Sequence, residues 1–148
     1  MKKFSFKLET VLKLKQKALD DKMLELARIT NVLNEAETTL QNHLDKQKSI
    51  NSYLIDLYKK GEDLDLLEVQ TNKDYIIQLS IKMEQQKQLI KQIRLAVNEK
   101  QKEVFEALKD RDILKKLKEK QKEHHQKEFE QKEMIELDDM TISRYKAV

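Results

Sequence analysis

The apolar positions of this chain fall on a seven-residue repeat, and counting heptads organises most of its length. With position a at Leu12, the a sites read Leu12, Leu19, Leu26, Leu33, Leu40, Gln47 and Leu54, so all but one are leucine. The d sites are weaker: Leu8, Lys15, Lys22, Ile29, Ala36, His43, Ile50 and Leu57. Val11, Ala18, Met23, Val32, Leu44 and Tyr58 widen the seam into a broad face. A second register has a sites at Ile76, Met83, Ile90, Val97 and Val104, and d sites at Leu79, Gln86, Ile93, Lys100, Ala107 and Leu114. It then fades. From Lys118 to Glu128 there is no apolar residue, after which Phe129, Met134, Ile135, Leu137, Met140 and Ile142 bring apolar side chains back.

Between the two registers lies the only glycine, in Lys59-Lys60-Gly61-Glu62-Asp63. Glycine is favoured just past a helix C-terminus, with lysines in the turn before it and carboxylates opening the next helix. The pattern therefore predicts an all-α, long two-stranded antiparallel coiled-coil hairpin, with helix 1 over about 5–59 and helix 2 over about 72–140. Residues 60–71 are expected to be turn or irregular, and a break near Thr71-Asn72-Lys73-Asp74, capped by Asn72 or Asp74, is an alternative. Residue i of the first arm should face roughly residue 122 to 130 minus i of the second. At 1.5 Å per residue the first arm would be roughly 80 Å long. The second helix overhangs the first, and the apolar-free run from Lys118 to Glu128 reads as single helix without a partner.

Composition narrows the function classes. About half of the residues are Ala, Glu, Lys, Leu or Arg, as in coiled coils and long helices. One glycine, no proline, no tryptophan and no cysteine leave little turn chemistry and no disulfide or thiolate metal framework. The charged fraction is 39%, but 30 basic against 27 acidic residues leave only +3, with both signs interleaved. No apolar run exceeds the length of Tyr53-Leu54-Ile55 or Tyr75-Ile76-Ile77, far short of the roughly 20 residues of a membrane span. Lys7, Glu9 and Lys13 interrupt any signal-peptide core. A soluble cytoplasmic protein is expected.

Candidate chemistry is sparse. A single glycine rules out phosphate loops and nucleophile elbows, and a two-helix rod offers no water-excluding pocket, so no catalytic residue and no cofactor are expected. His124 and Glu128 share a helix face, yet two ligands on an exposed helix rarely hold a metal, and none is expected. His43 reads as a seam histidine. The basic stretch Lys109, Arg111, Lys115, Lys116, Lys118, Lys120 and Lys122 is diluted by Asp110, Asp112, Glu119 and Glu123 and lacks interleaved aromatics, which argues against nucleic acid. Lys109, Lys116 and Lys120 suit intrahelical pairs or an acidic protein surface.

The opening Phe4-Ser5-Phe6-Lys7-Leu8-Glu9-Thr10-Val11-Leu12-Lys13-Leu14-Lys15 resembles the F-x-F-x-L-x-x-V-L-x-x-K start of flagellar export proteins of the FliJ family. Ala36-Glu37 in the first arm and the acidic tail from Glu128 through Asp138-Asp139 to Arg144 are similar as well. The resemblance implies a coiled coil like the stalk of rotary ATP synthases, whose paired terminal ends enter the hexameric flagellar export ATPase. It also implies contact with the membrane export gate protein and handling of export chaperones. Such a protein would promote ATPase ring assembly, couple it to export, act as a monomer, and reach the inner face of the cell membrane only through its partners.

Under that resemblance Phe4, Phe6, Leu8, Phe129, Ile135, Asp138 and Arg144 are candidates for the ATPase end. Tyr53, Tyr58, Tyr75 and Leu79 are candidates for the gate contact, since aromatic residues are enriched in interface hot spots and the resemblance implies apolar contact positions at Tyr75 and Leu79. Thr39, His43 and Lys46 stand where large apolar residues are expected, which weakens that face. A structural role competes in both cases: Phe4, Phe6 and Leu8 would close the coiled coil, and the aromatics would pack near the turn. Other readings are the stalk protein of a virulence type III secretion system and a generic spacer coiled coil, pairing in parallel through the Leu12 to Leu40 stripe.

Overall fold

The computed structural model describes residues 3–61 and 63–146, and among them there are two helices and no strand. α1 runs Glu9–Lys60 (52 residues) and α2 Leu66–Lys146 (81 residues). The all-α hairpin of two long helices packed against each other, expected from the heptads, is what the chain forms. Close contacts divide it into two compact units: Met1–Lys22 with Glu103–Val148, and Met23–Lys102. Each unit thus pairs one stretch of α1 with one stretch of α2.

The helix boundaries differ from the sequence expectation in ways that have local causes. α1 starts at Glu9 rather than near residue 5, because the preceding residues form a non-helical strap whose Phe6 is only 6% exposed. The Glu9 amide donates to the Phe6 carbonyl (3.1 Å) and the Leu12 amide to Leu8 (2.9 Å), which closes the first turn. At the other end Lys59 and Lys60 occupy the last turn of α1, and Gly61 takes φ 64°, the left-handed conformation that glycine adopts most readily.

α2 begins at Leu66, so most of the stretch 60–71 expected to be irregular is helix. Asp65 caps it: its carboxylate accepts from the Leu67 amide (3.0 Å) and its carbonyl from the Val69 amide (3.1 Å). Asp65-Leu66-Leu67-Glu68 is the acidic relative of a capping box, the signal that locates this start. Neither Asn72 nor Asp74 caps; Asn72 is half-buried within α2, and Asp74 accepts from Gln70 one turn back (2.9 Å). α2 also continues past 140, to Lys146.

The core follows the heptads. In the Met23–Lys102 unit the buried residues are Ala36 and Leu54 from α1, and Val69, Leu79, Met83, Ile90 and Val97 from α2. Val69 lies one heptad before Ile76, so the second seam begins earlier than its strongest residues suggest. In the other unit Phe6 and Leu19 are buried. Leu12, Leu26, Leu33, Leu40 and His43 are half-buried, while Leu8 and Lys15 at the weak end of the d series are exposed. No polar or charged residue is buried among the described residues.

Candidate interaction surfaces

Polar side chains at seam positions meet partners on the opposite helix. In the Met23–Lys102 unit, Gln86 at a d site donates its amide to the carbonyl of Ala36 (2.9 Å), whose small side chain opens the approach. Gln47, the one non-leucine a site, donates to the Ser80 hydroxyl (2.9 Å). Lys100 pairs with Glu25 (2.9 Å), and Arg94 with Glu37 (3.0 Å). In the other unit Lys22 pairs with Glu103 (3.3 Å). Residue numbers sum to 125 for both 22 with 103 and 25 with 100, inside the register expected from sequence. Partly exposed ion pairs add little stability each, but unpaired polar atoms at a seam are costly, so such contacts specify which residues face each other.

The strap changes the reading of the apolar-free part of α2. Phe4 lies against His125, with ring centroids 5.7 Å apart and planes tilted by 46°. Lys118 pairs with Glu9 (2.8 Å), and Arg111 donates to Gln16 (3.1 Å) as well as to the Asp112 carboxylate (3.0 and 2.7 Å). The run from Lys118 to Glu128 is therefore not partnerless. An aromatic contact from Phe4 and a charged one from Glu9 replace an aliphatic seam there. His125 continues the a series beyond Val104, Arg111 and Lys118, a signal legible only once charged seam residues are admitted.

The true overhang starts after Phe129. Phe129 is half-buried, and every residue from Glu130 to Lys146 is exposed. This tail carries Met134, Ile135, Leu137, Met140, Ile142 and Tyr145, each more than half exposed. Of the candidates for an ATPase end, Phe4, Phe6 and Phe129 belong to the strap and the covered helix. Leu8 is at the strap's edge, 38% exposed. Ile135, Asp138 and Arg144 lie out on the tail, and the structure does not bring them to the strap.

Among the gate candidates, Tyr53 donates its hydroxyl to the Glu68 carboxylate, joining the two helices near Gly61. That bond, reinforced by the charge of Glu68 and slight desolvation, raises the Tyr53 phenol above its usual range. Tyr58 helps line an open groove of about 630 Å³ with Leu54, Ile55, Ile76 and Ile77. Tyr75 is half-buried. Leu79 is 1% exposed, so its side chain belongs to the seam and offers nothing to a partner. Ile55 and Ile77, which sequence reasoning did not single out, present more of the groove wall. Both flank a seam position, and that adjacency is the only signal they carry.

His124 pairs with Glu128 (3.1 Å), and no group of three metal-ligating side chains occurs among the described residues. No helix among them is long and apolar enough to cross a membrane. The architecture defines the class: a two-helix antiparallel coiled-coil protein whose second helix extends uncovered beyond a strap at its N-terminal end. The family described as Flagellar FliJ protein matches residues 4–147, and the chain belongs to that family. It is thus a component of flagellar type III export, in a family of structural export components. No curated protein and no solved structure gives a significant match.

Proposed function

We propose that the protein is a stalk of the export apparatus, entering the flagellar export ATPase hexamer with its terminal end and promoting ring assembly. The observation that carries this reading is the construction of the Met1–Lys22 with Glu103–Val148 unit. Phe4 joins the strap to His125 of α2 and Glu9 joins the start of α1 to Lys118, and α2 then continues as an exposed helix with apolar side chains for a partner to cover. A covered base and a bare tip are what insertion into a ring requires, since the base resists splaying while the tip supplies contact area. Near Gly61, the groove walled by Tyr58, Ile55 and Ile77 suits the gate protein, and exposed stretches of both helices suit export chaperones. Membrane association then follows from those partners alone.

The test is stimulation of a cognate export ATPase by the full chain and by a truncation ending before Glu128. The proposal expects stimulation from the first and its loss in the second, at unchanged helicity per residue. Equal stimulation by both would remove terminal insertion. Substituting Tyr58 and Ile77 by Ala should spare ATPase stimulation and weaken binding of the gate protein.

A further inference from the structure

Within the Met1–Lys22 with Glu103–Val148 unit, the two paired stretches carry a net charge of the same sign. Residues 1–22 hold seven lysines against three carboxylates, and residues 103–127 eight basic side chains against six acidic ones, whereas residues 23–102 hold twelve of each. The excess stands where the stretches meet. Lys13 of α1 lines one groove with Arg111, Lys115, Lys118 and Lys122 of α2. Lys3 and Lys7 of the strap line another with Lys120, His124 and His125. The carboxylates in these grooves are few: Glu9 is taken by Lys118 and Glu128 by His124, which leaves Glu119. Like charges held close across a partly solvated groove repel, so this unit closes against an electrostatic cost.

Little apolar packing offsets that cost. Among the described residues of this unit only Phe6 and Leu19 are buried, against seven in the Met23–Lys102 unit. The seam here includes Lys15, Arg111, Lys118 and His125. An ion pair as exposed as that of Glu9 with Lys118 stabilises weakly. Phe6, one of the two buried side chains, and the ring contact from Phe4 to His125 both belong to the strap, which precedes α1. A short non-helical segment thus supplies a large share of what holds the two stretches together.

We infer that the strap is a latch. With Phe4 and Phe6 seated, α1 and α2 stay paired in this unit against the like charge that they present to each other. With the strap released, residues 9–22 and 103–127 separate while the Met23–Lys102 unit stays paired, because sparsely packed segments open below the free energy of global unfolding. Opening frees the two aromatic side chains and uncovers Leu12 and Leu19. The inference uses only contacts inside this unit and does not depend on the proposed function. Within a stalk, the latch keeps the base closed, and a partner that takes up Phe4 and Phe6 would open it.

Pulsed electron paramagnetic resonance on the full chain tests this, since a chain without cysteine can be spin-labelled at chosen pairs. Leu14→Cys with Ile113→Cys reports on the base, and Val32→Cys with Leu95→Cys on the other unit; all four positions are exposed and uncharged. Both pairs should give one short distance. Phe4→Ser with Phe6→Ser should add a longer distance at the base in about half of the molecules or more, and leave the other pair unchanged. Adding Lys13→Glu should lower that longer population about twofold or more, because a carboxylate then faces the cations of α2. In the otherwise unaltered chain Lys13→Glu should slow hydrogen exchange over residues 9–22 about threefold or more. An unchanged base distance in the strap variant overturns the latch, and so does lengthening of both pairs together. A longer population or an exchange rate indifferent to Lys13→Glu overturns it as well, since loss of packing alone would not respond to that charge.

Discussion

Phe4 and His125, nearly the whole chain apart in sequence, form the ring contact that lays the N-terminal strap on α2. Phe6 beside it is buried, whereas Phe4 is half-buried, so the two aromatics differ in what their removal costs. Phe6→Ala should destabilise its unit by about 2–4 kcal/mol and Phe4→Ala by about 1 kcal/mol. Hydrogen exchange is the appropriate measurement. Phe6→Ala should lose protection around residues 9–12 and 111–125 while leaving amides around Leu79 to Ile90 unchanged. Uniform loss along both helices would contradict a strap that acts locally.

Leu79 and Leu95 share α2 and differ in burial, at 1% and 61% exposed. Leu79→Ala should cost about 2–4 kcal/mol, because a truncated seam leucine forfeits both transfer energy and packing. Leu95→Ala should lie within about 0.5 kcal/mol of the parent. Urea unfolding followed by circular dichroism separates these, and comparable losses for the two would mean that the register is wrong.

At Gly61 an added Cβ would meet nothing within 4 Å, yet φ is +64°. Gly61→Ala is therefore a purely conformational test, expected to cost about 1–2 kcal/mol. Gly61→Asn should recover part of it, since asparagine tolerates the left-handed region. A stability equal to the parent for Gly61→Ala would imply that the turn relaxes out of that conformation.

The Tyr53 hydroxyl bond to Glu68 predicts a pH effect of definite sign. The phenol is raised in the folded chain, chiefly by the hydrogen bond and then by the charge of Glu68. A group raised on folding contributes stability that is complete below its unfolded value, near 10, and is lost as pH climbs through the folded one. Neutral pH thus leaves the contact intact. Ultraviolet titration near 295 nm should show Tyr53 ionising at lower pH in Glu68→Gln than in the parent. An unchanged titration would remove the bond from solution.

Much of the fold was legible because coiled coils write their contacts locally. The a series from Leu12 to Leu54 and the register of Met83, Ile90 and Val97 mark the faces that became buried, and Lys59-Lys60-Gly61 marks the end of α1. Asn72 and Asp74 offer a local capping signal as good as that of Asp65, and the bonds from the Leu67 and Val69 amides to Asp65 decide between them. The candidate surfaces were less legible. Exposed and seam apolar residues look alike in sequence, so Tyr53, Tyr58, Tyr75 and Leu79 read as one group although Leu79 is packed away.

By itself, then, the sequence determined that the chain is helical, that it turns back between Gly61 and Asp74, and which face of each arm is apolar, since periodicity and capping depend on residues a few positions apart. Only the tertiary structure decided how far each helix is covered. The strap reaches His125 across a stretch with no apolar residue to announce it, and cover ends after Phe129, where apolar residues return. Whether a side chain is buried depends on what the rest of the chain brings to it, and no local pattern carries that information.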